Sequence, residues 1–154
     1  MGLASVIKVA TALAGVARIA FDTAPIIYFI EANPRYDALV SDVFKRVDGG
    51  QVLAVTSCIS VCEVLIVPIR NDNVHLRNVY KNLLLHSDHF ETIPITADIA
   101  ELGATLRARY GLRTPDALQI ASAIETHCDV FLTNDFGLQR VSEIRVLVLD
   151  ELKL

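Results

Sequence analysis

The 154-residue chain is 53% hydrophobic and carries a formal net charge of −4. That length suits one domain with a well-buried core and excludes a disordered chain, while the acidic balance argues against a broad basic surface for gripping a polyanion. The three cysteines, Cys58, Cys62 and Cys128, make a poor disulfide framework, and they read as buried, reduced thiols of a reducing compartment.

Val9 to Ala17 is small and apolar behind Lys8 and loosely resembles a signal sequence. The run is short, Arg18 closes it, and it flows into Ile19-Ala20-Phe21-Asp22, which reads as a core strand. Residues 1–15 are therefore expected to be an N-terminal helix or tail. Residues 16–154 are expected to be the single domain of a cytoplasmic protein. No stretch reaches the roughly 18 uninterrupted apolar residues of a membrane span.

Val16 to Phe21 is expected as the first strand, followed by a short helix from Pro25 to Glu31 and a second from Arg35 to Val47, stopped at Gly49-Gly50. Gln51 to Val55 follows as a strand. A helix then starts at Ser57 or Ser60 and runs to Val67, where Pro68 is expected to end it. Val74 to Leu85 reads as a helix and Phe90 to Ile95 as a short strand. Thr96 caps a helix that runs to Tyr110, with Gly111 as its stop. Thr114 is the expected cap of the next helix, with Pro115 at its first position, running to about His127. Val130 to Thr133 is a buried strand, and Arg145 to Leu149 is expected as the last. These strands are apolar throughout rather than alternating, so they need cover on both faces. The expectation is an α/β domain of three layers, α/β/α, with a central, mainly parallel sheet flanked by helices.

Ligands of such sheets bind outside the carboxyl ends of the strands, and four acids fall there. Asp22 directly follows the first strand. Glu63 lies one to two turns into the helix after the second. Asp116 is in the first turn of a helix entered through Gly111-Leu112-Arg113-Thr114-Pro115, and Asp135 follows the strand ending at Thr133. Each has a plain alternative. Ser60-x-x-Glu63 fits a capping box, Asp116 complements a helix dipole, Asn134-Asp135 suits a turn, and Asp22 can cap the helix at Pro25. Together they would be four carboxylates crowded at one edge, which repel unless some are protonated or a cation joins them. A hard divalent ion with oxygen ligands, Mg²⁺ or Mn²⁺, answers that need. It acidifies water and steadies a phosphate.

Phe21-Asp22-Thr23, Ser57-x5-Glu63-Val-Leu, Thr114-Pro115-Asp116-Ala-Leu-Gln-Ile-Ala-Ser-Ala and Leu132-Thr133-Asn134-Asp135, in that order, resemble the four motifs of PIN domains. Spacing and chain length look most like the VapC-type toxin ribonucleases of prokaryotic toxin–antitoxin pairs, over about residues 16 to 150. The resemblance implies a metal-dependent endoribonuclease with Asp22, Glu63, Asp116 and Asp135 as its acidic quartet. Asp22 and Asp116 would be metal ligands, Asp135 a ligand directly or through water, and Glu63 a ligand or the residue that positions the attacking water. Thr133 and Asn134 would orient Asp135 or a metal-bound water. It also implies an RNA substrate, a homodimer, and a small antitoxin that lays a segment across the active site. The residues ahead of the first strand depart from relatives that begin almost at that strand.

Arg107, Arg109 and Arg113 bracket the loop into Asp116 and are candidate substrate-phosphate contacts; a solvated helix end is the alternative. His75, His86, His89 and His127 show no metal-ligand spacing. Asp98 belongs to a helix's first turn, and Tyr28, Phe29 and Tyr36 lie on or between early helices. Asp22 followed by Thr23-Ala24 lacks the second acid of a haloacid-dehalogenase-type phosphatase. The functions competing with a ribonuclease are a non-catalytic PIN-fold module that binds nucleic acid or protein, and a nuclease acting on DNA.

Overall fold

The computed structural model describes residues 5–154; the first four residues of the expected 1–15 extension lie outside them. In chain order the elements are β1 (Ile7–Lys8), α1 (Val9–Ala12), β2 (Arg18–Phe21), α2 (Thr23–Ile30), α3 (Asp37–Asp48), β3 (Leu53–Ser57), α4 (Cys58–Arg70) and α5 (Val74–His86). There follow β4 (Phe90–Ile93), α6 (Ala97–Tyr110), α7 (Thr114–Glu125), β5 (Val130–Thr133), a 3-10 turn (Phe136–Arg140), β6 (Arg145–Val148), a second such turn (Leu149–Glu151) and β7 (Leu152–Lys153).

The apolar strands form a five-stranded sheet in the order β4-β3-β2-β5-β6, with every neighbouring pair parallel. Alternate residues of each strand serve opposite faces. Ile19, Phe21, Val130 and Leu132 join a core with Val40, Val43, Phe44 and Val47 of α3 and Tyr80 and Leu84 of α5. Ala20 and Phe131 face the other core, with Ile99 and Leu106 of α6 and Ala117, Ile120 and Ala121 of α7. The result is the expected α/β/α sandwich. Phe44 anchors the first core: its ring stands 3.9 Å from Phe29 and 4.9 Å from Phe21, centroid to centroid. In the second core α6 approaches α7 at Gly103, where a Cβ would sit 3.0 Å from Leu118 Cδ2.

The chain leaves β2 toward β3 and β4 on one side and later returns to place β5 and β6 on the other. The sheet's switch point therefore lies between the carboxyl ends of β2 and β5, where α/β sheets open a crevice.

Several boundaries move. Pro68 is buried inside α4, which runs a turn further to Arg70. A proline removes one helical donor, here the one that would meet Val64 O, and past it the carbonyls of Val67, Pro68 and Ile69 are met by the N–H groups of Asn71, Asn73 and Asp72. Thr114 is the first residue of α7 rather than its cap; Arg113 holds the cap position without a side-chain bond, and α7 ends at Glu125. The expected stop at Gly111 is present, in the left-handed conformation at φ 67°. Arg145–Val148 is not the last strand, because β7 pairs in parallel with β1. Val9, Ala12 and Leu13 of the extension are buried in the first core. Cys58 and Cys62 are exposed rather than buried, and Cys128 is half-buried; α4 turns its Val64 and Pro68 side inward and leaves the thiols on the opposite side.

Candidate active site

Asp22 is the pivot. Its backbone N–H donates to Leu132 O at 2.9 Å, continuing the β2–β5 pairing one residue past the strand. Its side chain then caps α2, Oδ1 accepting from Thr23 N at 2.8 Å, while Oδ2 accepts from Thr133 Oγ1 at 2.8 Å. One carboxylate thus ties together the ends of β2, β5 and the start of α2. Thr133 is fully buried, and its hydroxyl also accepts from Asp135 N at 3.1 Å, which sets the turn that follows. Asp135 in turn caps the 3-10 turn, Oδ1 accepting from Gly137 N at 2.8 Å.

Glu63 arrives from α4. The capping-box reading fails, because Ser57, not Ser60, caps this helix. Glu63 instead accepts from Thr23 Oγ1 at 2.8 Å. Behind that bond lies a buried polar cluster whose protons have one consistent order. Ser57 Oγ donates to Gln119 Oε1 at 2.5 Å, and Gln119 Nε2 donates to Ser60 Oγ at 2.7 Å and to Thr23 Oγ1 at 3.2 Å. Thr56 Oγ1 donates to Phe21 O at 2.9 Å, so Ser60 donates to Thr56 Oγ1 at 2.7 Å. Thr23 receives the amide proton and donates its own to Glu63. Every polar group in this cluster has a partner, as burial demands. Gln119, Ser60 and Thr23 do not stand out in the sequence as site residues. A glutamine inside the apolar run Ala117–Ala123 is the one available signal.

Asp116 sits in the first turn of α7, paired with Arg113 Nε at 3.1 Å. Asp22, Glu63, Asp116 and Asp135 all line one open cleft of about 340 Å³, together with Thr133, Asn134, Arg113, Thr23, Ala24, Ile27 and Tyr28. Arg107 and Arg109 do not reach it. Arg107 Nε donates to Leu112 O at 2.7 Å, and Arg109 pairs with Glu143 at 3.1 Å. Asn134 donates from Nδ2 to Tyr28 Oη at 3.3 Å, and its Oδ1 is buried with no partner among the described residues.

The electrostatics are those of excess negative charge. Burial pushes the Asp22 carboxyl up to about 6; the bonds from Thr133 and Thr23 oppose that, and the charges of Asp116 and Glu63 add to it. The Arg113 guanidinium is held protonated above its ordinary range by its bond to Asp116, with Glu63 and Asp135 contributing. Among the described residues no three His, Cys, Asp or Glu side chains close into ready metal-ligand geometry. Each acid is drawn to its own tether: Thr133 and Thr23, Thr23, Arg113, or Gly137. The donor chemistry nonetheless fits a hard divalent cation. All four groups are carboxylates, and burial first, with the charges of Asp116 and Glu63 adding to it, makes Asp22 hold its proton more tightly than a free carboxyl.

Four acids thus line the switch-point crevice of a parallel α/β/α sheet, the place where such folds bind their ligands. The pattern of the PIN domain family matches residues 19–144, so the chain belongs to that family of nucleases. Three solved structures show how widely the fold is shared. VapBC2 from Rickettsia felis, bound to a promoter DNA fragment, superposes with a TM-score of 0.66 at 14% identity, covering 85% of this chain and 98% of that one. A toxin–antitoxin complex from Klebsiella pneumoniae gives 0.63 at 21% identity, covering 85% and 97%. VapC20 from Mycobacterium tuberculosis, a sarcin–ricin-loop-cleaving toxin, gives 0.64 at 16% identity, covering 82% and 98%. No curated protein sequence matches the chain. Among the described residues, no helix is long and apolar enough to cross a membrane.

Proposed function

We propose that the protein is a divalent-metal-dependent endoribonuclease, and that it is the toxin of a toxin–antitoxin pair acting in the cytoplasm as a homodimer. The observation that carries the chemistry is the single cleft holding Asp22, Glu63, Asp116 and Asp135, in which Asp22 is pushed up to about 6. These four would hold Mg²⁺ or Mn²⁺. A bound ion of this kind neutralises phosphate charge and acidifies a water molecule.

The chain's own residues supply the rest. Glu63 commits one oxygen to Thr23, which leaves the other to hold the ion or to position the attacking water. Thr133 fixes the orientation of Asp22 and of the turn carrying Asp135. Arg113 is largely exposed and engages Asp116 through Nε alone, so its terminal nitrogens can reach a substrate phosphate. Arg107 and Arg109 take no part in this reading. Hydrolysis adds water across one P–O bond, leaving a phosphate on one fragment and a hydroxyl on the other. The RNA substrate and the antitoxin partner are supported by family membership and by a fold shared with toxin–antitoxin complexes.

The test incubates the protein with labelled single-stranded RNA and matched DNA, with Mg²⁺, Mn²⁺ or EDTA, beside Asp116→Asn. Metal-dependent RNA cleavage lost in the variant is expected. Cleavage of DNA alone would replace the substrate. No cleavage, together with no metal-induced rise in melting temperature, would leave a non-catalytic binding module.

A further inference from the structure

The cleft is lined by two unlike kinds of side chain. Its lining includes the carboxylates of Asp22, Glu63, Asp116 and Asp135 and, from α2, the side chains of Ala24, Ile27 and Tyr28. The carboxylates suit a cation and, through it, a phosphate. Two aliphatic side chains and an aromatic ring do nothing for either.

Tyr28 is unusually well fixed. Its ring stacks on Tyr36 with centroids 4.6 Å apart and an interplanar angle of 13°. Tyr36 is only 8% exposed, so Tyr28 is the outer member of the stack. Tyr36 is held from below by its hydroxyl, which donates to Asp150 Oδ1 at 2.8 Å, and by the Arg35 guanidinium, 5.2 Å from its ring centroid. At its other end Tyr28 Oη accepts from Asn134, the residue between Thr133 and Asp135. The stack therefore positions Tyr28 against the same turn that positions Asp135. Among the described residues no hydrogen bond uses the Tyr28 hydroxyl as donor, and Tyr28 lines the cleft.

We propose that Tyr28 is a stacking platform for an unpaired nucleobase that flanks the cleaved phosphodiester. The inference rests on the ribonuclease reading above and narrows its substrate to single-stranded segments. A base inside a duplex has both faces covered by its neighbours, whereas an unpaired base presents a face to an aromatic ring, and such stacking tolerates any base. Rigidity matters here: a ring already held by Tyr36 and Asn134 loses little freedom when a base lies on it. The platform selects for the presence of a base, not its identity, and it sets the register of the strand so that the neighbouring phosphate meets the acids.

The experiment uses a short single-stranded RNA whose cleavage position the wild-type protein defines. A series of the same RNA carries one abasic ribose at each position around that site. Two readouts are taken: KM for cleavage by the wild type, and binding to Asp116→Asn by fluorescence anisotropy. One abasic position beside the cleaved bond is expected to weaken both by about tenfold, within the range of base–aromatic stacking. In the Tyr28→Ala background the intact and abasic RNAs are expected to bind equally, and Tyr28→Phe is expected to stay within about threefold of the parent, since it keeps the ring and loses one neutral hydrogen bond. Equal binding of intact and abasic RNAs at every position overturns the platform even if Tyr28→Ala fails to fold, because that arm changes only the RNA. RNA that is neither bound nor cleaved by the wild type overturns the ribonuclease reading and the platform with it.

Discussion

Replacing Asp22 by asparagine should stabilise the metal-free protein while abolishing its chemistry. Asp22 rises from 3.8 to about 6 in the fold, chiefly through burial. A carboxyl whose folded-state value is raised binds its proton more tightly in the native chain, so its favourable contribution is complete below 3.8 and is lost as pH climbs through about 6. At about 1.4 kcal/mol for each tenfold gain in proton affinity, that rise makes the ionised group cost about 3 kcal/mol near neutral pH. Asparagine removes that cost and keeps an acceptor for Thr23 N–H, but it turns an amide toward the Thr133 hydroxyl, a loss of about 1 kcal/mol. The net gain of about 2 kcal/mol corresponds to a melting temperature about 6 °C higher for a chain of this size. Thermal melts followed by circular dichroism in EDTA, at about pH 7.5 and about pH 5, read it directly. Asp22→Asn should melt above wild type at the higher pH, and the gap should narrow to about a third at the lower. Added Mg²⁺ should raise the wild type alone. An equal or lower melting temperature for Asp22→Asn at both pH values would show that the buried carboxylate carries no such strain, and would remove the electrostatic argument for a cation.

Gln119→Leu leaves the Ser57 hydroxyl without its acceptor and takes the donors from Ser60 and Thr23. It should lower stability by about 2–4 kcal/mol in a denaturant titration and, by freeing Thr23 to rotate away from Glu63, reduce the Mg²⁺-induced thermal shift; an unchanged shift would separate the cluster from the site. Cys58 and Cys62 are exposed, while burial pushes the Cys128 thiol up. A thiol reagent should therefore label two cysteines quickly in the native protein and the third only slowly or after unfolding; slow labelling of Cys58 and Cys62 would contradict the orientation of α4, and fast labelling of Cys128 its burial.

The four acids were legible in the sequence because each stands at a local signal. Two follow apolar strands, and one opens a helix behind Thr114-Pro115. In a parallel sheet those signals fall on one edge whatever the strand order. Glu63 was legible for a weaker reason, since its helix could have been capped at either Ser57 or Ser60. The choice of Ser57 puts Ser60 in the buried cluster and Glu63 on Thr23. The arginines were not legible: Arg107, Arg109 and Arg113 are near neighbours in sequence, but α6 ends at Tyr110, and only Arg113 lies past the turn that leads into the cleft.

Local chemistry, then, decided the strands, the helix stops such as Gly111, the α/β class and the identity of the acids. Those depend on side-chain polarity and backbone preference over a few residues. Contacts between distant segments decided the rest. The pairing of β1 with β7 joins residues near the two ends of the chain. The Ser57–Gln119–Thr23–Glu63 relay needs α2, α4 and α7 to meet under β3. The Tyr28–Tyr36 stack needs α2 to turn back before α3. Apart from Gln119, a polar residue in an apolar run, none of these has a local sequence signature, because each side chain's partner is fixed only when the sheet brings its element into place.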